Sequence, residues 1–194
     1  MLPPKIARIM VNLGLGDEET AVVYDPFCGS GTILAEALYL GHSVIGSDQS
    51  EKAVEDSQAN LNWLKNLHGL SGSIRVFTKD AAKVSSSDLK IKPTCIVFEP
   101  YLGPPHISPE KAANMAKGLE KLYIGAVKNL AKLQSERQRL VCILPTIKVG
   151  TLVKTTANFI DRCENFGYTL QAGPLEYSRP HATIIRQIYI LEKH

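Results

Sequence analysis

Four short runs hold the residues best suited to bind or activate a ligand: Asp25-Pro26-Phe27-Cys28-Gly29-Ser30-Gly31-Thr32, Asp48-Gln49, Asp80-Ala81 and Glu99-Pro100-Tyr101. In the first, two glycines allow a tight turn and a close approach of backbone to a ligand. Ile33 and Leu34 follow Thr32, so the G-x-G-x-x-G spacing of a dinucleotide site is missing, as is the lysine of a phosphate-cradling loop. Asp48 lies roughly 20 residues past Gly29, where an acid accepts both hydroxyls of a ribose. Its alternative role, a helix cap, falls better to Ser50. Asp80 offers an acceptor for an exocyclic amine such as that of adenine, or is a surface aspartate in a turn. In chain order these runs describe a pocket for an adenosine that carries no phosphate.

Each run directly follows an apolar stretch, and that sets the architecture. Strands are predicted over 21–24, 43–46, 73–78, 94–98, 140–144, 168–172 and 183–191, about seven in all. Helices are predicted between them: a short one opening at Pro3-Pro4 and ending at Gly14, then 32–40, 51–67 (capped by Ser50), 109–133 and 152–166. Residues 85–87 and 102–109 read as loops. Alternating strands and helices imply an α/β fold with a parallel sheet covered on both faces. Ligands of such sheets bind at the carboxyl ends of the strands, where the four runs lie.

The string Asp25 to Thr32 resembles motif I of amino-directed S-adenosylmethionine (SAM) methyltransferases. With Leu2-Pro3-Pro4-Lys5, Ala7-Arg8 and Asn12-Leu13, the chain resembles the catalytic domain of the THUMP-associated RNA methylases, the tRNA guanine N2-methyltransferases among them. The likeness runs from Leu2 to the last strand. It implies a class I methyltransferase (Rossmann-like) fold: a seven-stranded, mostly parallel sheet with helices on both faces, its last strand antiparallel and inserted between the fifth and sixth. It implies SAM as cofactor. Asp25 would hold the methionine amino end, and the turn through Phe27, Cys28, Gly29 and Gly31 would pass beneath the cofactor. Asp48 would take the ribose, with Gln49 beside it against the adenine, and Asp80 and the Ala81 amide would meet the adenine edge. The segment around Pro4 would close over the methionine side. A side chain at Gly31 is expected to intrude on cofactor space at modest cost in stability.

The fourth strand end departs from the family. Its members usually carry Asp or Asn, then Pro-Pro and an aromatic residue; this chain has Glu99-Pro100-Tyr101-Leu102. An exocyclic amine on a base is conjugated and nearly planar, so its lone pair is a poor nucleophile. A side-chain oxygen and the following backbone carbonyl accept its two protons, which aims the lone pair at the methyl donor and stabilises the developing charge. Glu99 and the Pro100 carbonyl can serve so, with Tyr101 stacking on the base. The catalytic set expected is therefore Glu99, Pro100 and Tyr101. The resemblance implies methyl transfer to guanine N2 in tRNA. Two alternatives stand beside it: a DNA amino-methyltransferase, which shares the motif I string, and a SAM-binding scaffold without catalysis.

The remaining features bound the reading. The 194 residues, 44% hydrophobic and 21% charged, suit one catalytic domain over 1–194, with the RNA-binding THUMP domain absent from it. RNA, tRNA foremost, is the expected partner, with an RNA-binding domain or subunit supplied elsewhere. A net charge of +3 permits a nucleic-acid partner without indicating one. No apolar run approaches a membrane span of roughly 18–20 residues, and a cytoplasmic location is expected. Cys28, Cys95, Cys142 and Cys163 are too scattered to signal zinc. Lys111, Lys117, Lys121, Lys128 and Lys132 read as a solvated helix face. His106 reads as a surface histidine. Tyr177, Arg179 and His181 precede the last strand and are either substrate contacts or solvated loop.

Overall fold

Neighbouring residues of strand β1 (Val22–Asp25) feed two separate cores. Val23 packs into one apolar cluster and Tyr24 into another, both fully buried, so the sheet needs helices on each face. The computed structural model describes residues 2–104, 106–156, 158–179 and 182–194. β2 (Ser43–Asp48), β3 (Ile74–Thr78), β4 (Cys95–Phe98) and β5 (Arg139–Val149) join β1 in parallel, in the order β3-β2-β1-β4-β5. β7 (Tyr168–Tyr177) and β8 (Ile184–Lys193) complete the sheet, β8 running antiparallel between β5 and β7. The implied insertion of the last strand is therefore present.

Helices α1 (Pro4–Leu15), α2 (Thr32–Tyr39) and α3 (Glu51–His68) cover one face; α4 (Ser86–Leu89), α5 (Pro109–Leu130) and α6 (Phe159–Glu164) cover the other. In α1, Ala7, Met10, Val11, Gly14 and Leu15 are buried, the three- and four-residue spacing of one helical face. Ser50 caps α3 as expected, its hydroxyl accepting from the Ala53 N–H at 3.3 Å. All five lysines on and just past α5 are exposed. All four cysteines are buried. No helix among the described residues is long and apolar enough to cross a membrane.

Two local expectations are corrected. Residues 152–166 do not form one helix. Gly150 and Thr151 turn the chain back, and β6 (Leu152–Lys154) pairs antiparallel with β5 through Val149↔Leu152, giving eight strands among the described residues instead of seven. A two-residue loop containing glycine between β-branched stretches is a hairpin signal that outweighs the helical spacing. Residues 86–89 form a helical turn where a loop was expected, because Ser85 and Asp88 make a reciprocal capping box. Since β1 to β4 are parallel, Asp25, Asp48, Asp80 and Glu99 gather along one edge of the sheet.

Candidate active site

The turn after β1 is tied down by its own polar groups. The Phe27 N–H donates to Asp25 Oδ1 at 2.9 Å, the Cys28 N–H to the Ser47 carbonyl at 3.0 Å and the Gly31 N–H to the Cys28 carbonyl at 2.7 Å. Asp25 is 1% exposed. Burial pushes its carboxyl well above the usual carboxylate range; the Phe27 N–H opposes this, and the charges of Asp48 and Glu99 reinforce it. Asp48 sits at the end of β2, its Oδ2 accepting from the Gly29 N–H and its Oδ1 from the Ser50 N–H, each at 3.0 Å.

The two glycines have different tasks. Gly29 has φ +50°, and a Cβ there would project into open space. Gly31 has φ +88°, and a Cβ there would lie 2.6 Å from the Ser57 hydroxyl on α3. The modest stability cost expected of a Gly31 side chain is thus corrected: its Cβ meets the buried packing of α2 on α3.

A cavity of about 160 Å³ lies against this turn, lined by Leu2, Asp25, Phe27, Cys28, Gly29 and Glu99 among others. Phe27 packs against Phe98, ring centroids 5.4 Å apart. The opening segment reaches the cavity through buried Leu2, and Pro4 is exposed on the first turn of α1. Proline at the start of the helix fixes the backbone and leaves the preceding apolar residue to fold inward. Asp48, Gln49, Asp80 and Ala81 lie beyond this lining, on the adjacent strand ends. Gln49 is exposed. Asp80 accepts from the Ala82 N–H at 3.0 Å and faces Lys83 at 3.6 Å. Ala81 is buried, its carbonyl accepting from Asn129 of α5 at 3.1 Å.

Glu99 stands on the wall of a second cavity as well, of about 490 Å³, with Pro100, Tyr101, Leu102, Thr183 and Arg186. The Tyr123 hydroxyl of α5 donates to the Tyr101 carbonyl at 2.6 Å, which anchors the loop after β4. Burial pushes the Tyr123 phenol up, so it remains a donor. Tyr101 is 60% exposed and lines this cavity. Arg186 of β8 donates through Nε to Glu99 Oε1 at 2.6 Å, the two side chains 17% and 15% exposed. Sequence reading missed Arg186; its signal was a lone cation within the apolar run Ile184 to Ile188. A third cavity of about 880 Å³ shares Ala182 and Thr183 with the second and adds His106, Lys148, Glu176 and Arg179. Tyr177 ends β7 in register with Arg186. His181 lies outside the described residues.

Residues 1–154 match the family described as RMKL-like, methyltransferase domain. The chain belongs to this methyltransferase family. Over 191 residues it is 28% identical to the tRNA (guanine(10)-N2)-dimethyltransferase of Pyrococcus abyssi, a match covering 98% of this chain and 50% of that protein. The crystal structure of TrmN from Thermus thermophilus superposes with a TM-score of 0.71 at 22% identity, covering all of this chain and 49% of that one. Magnesium protoporphyrin IX methyltransferase from Synechocystis with bound SAM gives 0.66 at 18% identity, covering 98% and 77%. The fold is that of class I methyltransferases. This RMKL-like domain spans about half the length of the Pyrococcus relative. The residues matched to the family include Glu99 and stop short of Arg186.

Proposed function

We propose that the chain transfers a methyl group from SAM to an exocyclic amine of an RNA base, with guanine N2 in tRNA as the target. The observation that carries this reading is the placement of Glu99 on the wall common to the 160 and 490 Å³ cavities. One cavity abuts the glycine turn and the other the Tyr101 loop, so a carboxylate stands between a cofactor side and a substrate side.

The residues fit SAM by their chemistry. Asp25 offers a carboxylate to the ammonium, Gly29 leaves room beside its backbone, and Asp48 keeps further lone pairs for ribose hydroxyls after accepting two backbone N–H groups. Asp80 and Ala81 lie on the next strand end for the adenine edge. Asp25, Asp48 and Glu99 close together favour a cationic ligand. Bound there, SAM supplies an electrophilic methyl group. Glu99 and the Pro100 carbonyl accept the protons of the target amine, rehybridise the nitrogen and stabilise the charge it gains. Tyr101 offers a stacking surface for a base splayed out of its strand. Lys148 and Arg179 on the outer cavity face the adjoining phosphates. With a net charge of only +3, wider RNA recognition falls to a further domain or subunit.

The test is single-turnover methyl transfer to unmodified tRNA and to duplex DNA, beside a SAM titration. Product at guanine N2 of tRNA supports the reading. Product in DNA alone points to a DNA amino-methyltransferase, and SAM binding without turnover on either points to a scaffold.

A further inference from the structure

We infer that Arg186 is a positioning residue for the amine acceptor: it holds the Glu99 carboxylate by Oε1 and leaves Oε2 to the target nitrogen. This rests on the methyl-transfer reading above. Glu99 follows β4, and its alternation with Cys95 and Val97 places it on the α1 face of the sheet. Arg186 alternates with Ile184 and Ile188 of β8, which pack into the same cluster. β5 lies between the two strands. The backbones are therefore two strand spacings apart, about 9–10 Å, and only long side chains span that gap. An aspartate at position 99 stops one methylene short of the guanidinium. The pairing thus gives the glutamate a physical reason: its extra reach is what meets Arg186 at 2.6 Å.

The tie also answers a cost of the longer side chain. A free glutamate samples many rotamers, and freezing them carries an entropic cost. A charge-assisted bond to a largely buried arginine fixes them before substrate arrives. Arg186 is itself held by β8, paired on one side with Pro145 of β5 and on the other with Tyr177 of β7. Both side chains line the 490 Å³ cavity, so the carboxylate is fixed at the surface the base approaches.

The experiment is single-turnover methyl transfer to unmodified tRNA for wild type, R186Q, R186K, E99D, E99Q and the E99Q/R186Q double variant. SAM titration and thermal melts of each variant accompany it. Misplacement of a reacting group by about 1 Å costs on the order of 100-fold in rate, and that loss is expected for R186Q. The SAM Kd and the RNA KM should stay within about twofold, since the effect lies in the transition state. R186K should recover roughly tenfold by restoring a cation. E99D should lose about as much as R186Q, and it keeps the inference testable if R186Q does not fold. In the E99Q background, R186Q should add little, because the acceptor it positions is already impaired. An active wild type with R186Q or E99D equally fast overturns the inference, as does full additivity of the double variant. A wild type that binds SAM yet methylates no nucleic acid overturns the methyl-transfer reading, and this inference with it.

Discussion

The Asp48 carboxylate accepts the Gly29 N–H at 3.0 Å, so the acid ending β2 fixes the turn ending β1. Its second oxygen holds Ser50, which caps α3. Asp48→Ala therefore acts twice. Loss of hydrogen bonds to a charged group should weaken SAM binding by about 1.5–3 kcal/mol, and the freed backbone donors should lower thermal stability. Calorimetry showing unchanged affinity in a folded variant would remove Asp48 from the cofactor site.

Gly29 and Gly31 should separate binding from folding. Gly29→Ala meets only left-handed strain, about 1–2 kcal/mol, and its methyl group projects beside the 160 Å³ cavity. Its SAM affinity should fall more than its stability. Gly31→Ala adds a clash with the Ser57 hydroxyl and should melt at a lower temperature than Gly29→Ala, with partial recovery in Gly31→Ala/Ser57→Gly. Equal melting temperatures for the two single variants would refute this division of labour.

Asp25 should make cofactor-free stability depend on pH. Its carboxyl is held above the ordinary range, chiefly by burial, so the folded chain binds this proton more tightly than the unfolded chain does. The resulting stabilisation is complete below the ordinary carboxylate pKa and is lost as pH rises through the raised value. Asp25→Asn should abolish that decline. SAM affinity in the wild type should rise over the same interval, as an anion forms to meet the ammonium. Denaturant melts and SAM titrations across about pH 4–8 test both; identical pH profiles for wild type and Asp25→Asn would exclude the mechanism.

Lys148 and Arg179 should contribute to RNA binding without touching the chemistry. Each phosphate contact removed lowers the slope of log K against log salt by about 0.7–0.9. Lys148→Ala and Arg179→Ala should each flatten the salt dependence by about that amount, with single-turnover rates at saturating RNA unchanged. An unaltered slope in both would show that the outer cavity does not meet the RNA backbone.

The strand ends were legible because the information is local. Asp25, Asp48, Asp80 and Glu99 each follow a short apolar run, and parallel pairing brings such ends together wherever helices intervene. The inserted last strand was implied by resemblance alone. The β5–β6 hairpin was misread because Leu152 and Val153 also suit a helical face; Gly150 decides the matter by turning the chain. Arg186 was invisible for a different reason. Its partner lies 87 residues away, and the sheet order that joins them depends on where β8 inserts. Leu2 at the cavity was not legible either, because its burial depends on how the chain before α1 folds back on the sheet.

The placement of β8 inside the sheet leaves β7 as a border, paired on one side only. Eight of its ten residues are exposed, Leu170 and Leu175 among them. A flat strand of that kind recruits strands from other chains and seeds aggregation. β7 is neither flat nor fully armed with donors. Its register slips between Leu170 and Ala172 and again between Ala172 and Leu175, and Pro174 has no N–H to offer. The irregularities spoil this strand as a template for a second copy of the chain, beside the 880 Å³ cavity that takes Glu176 from its end.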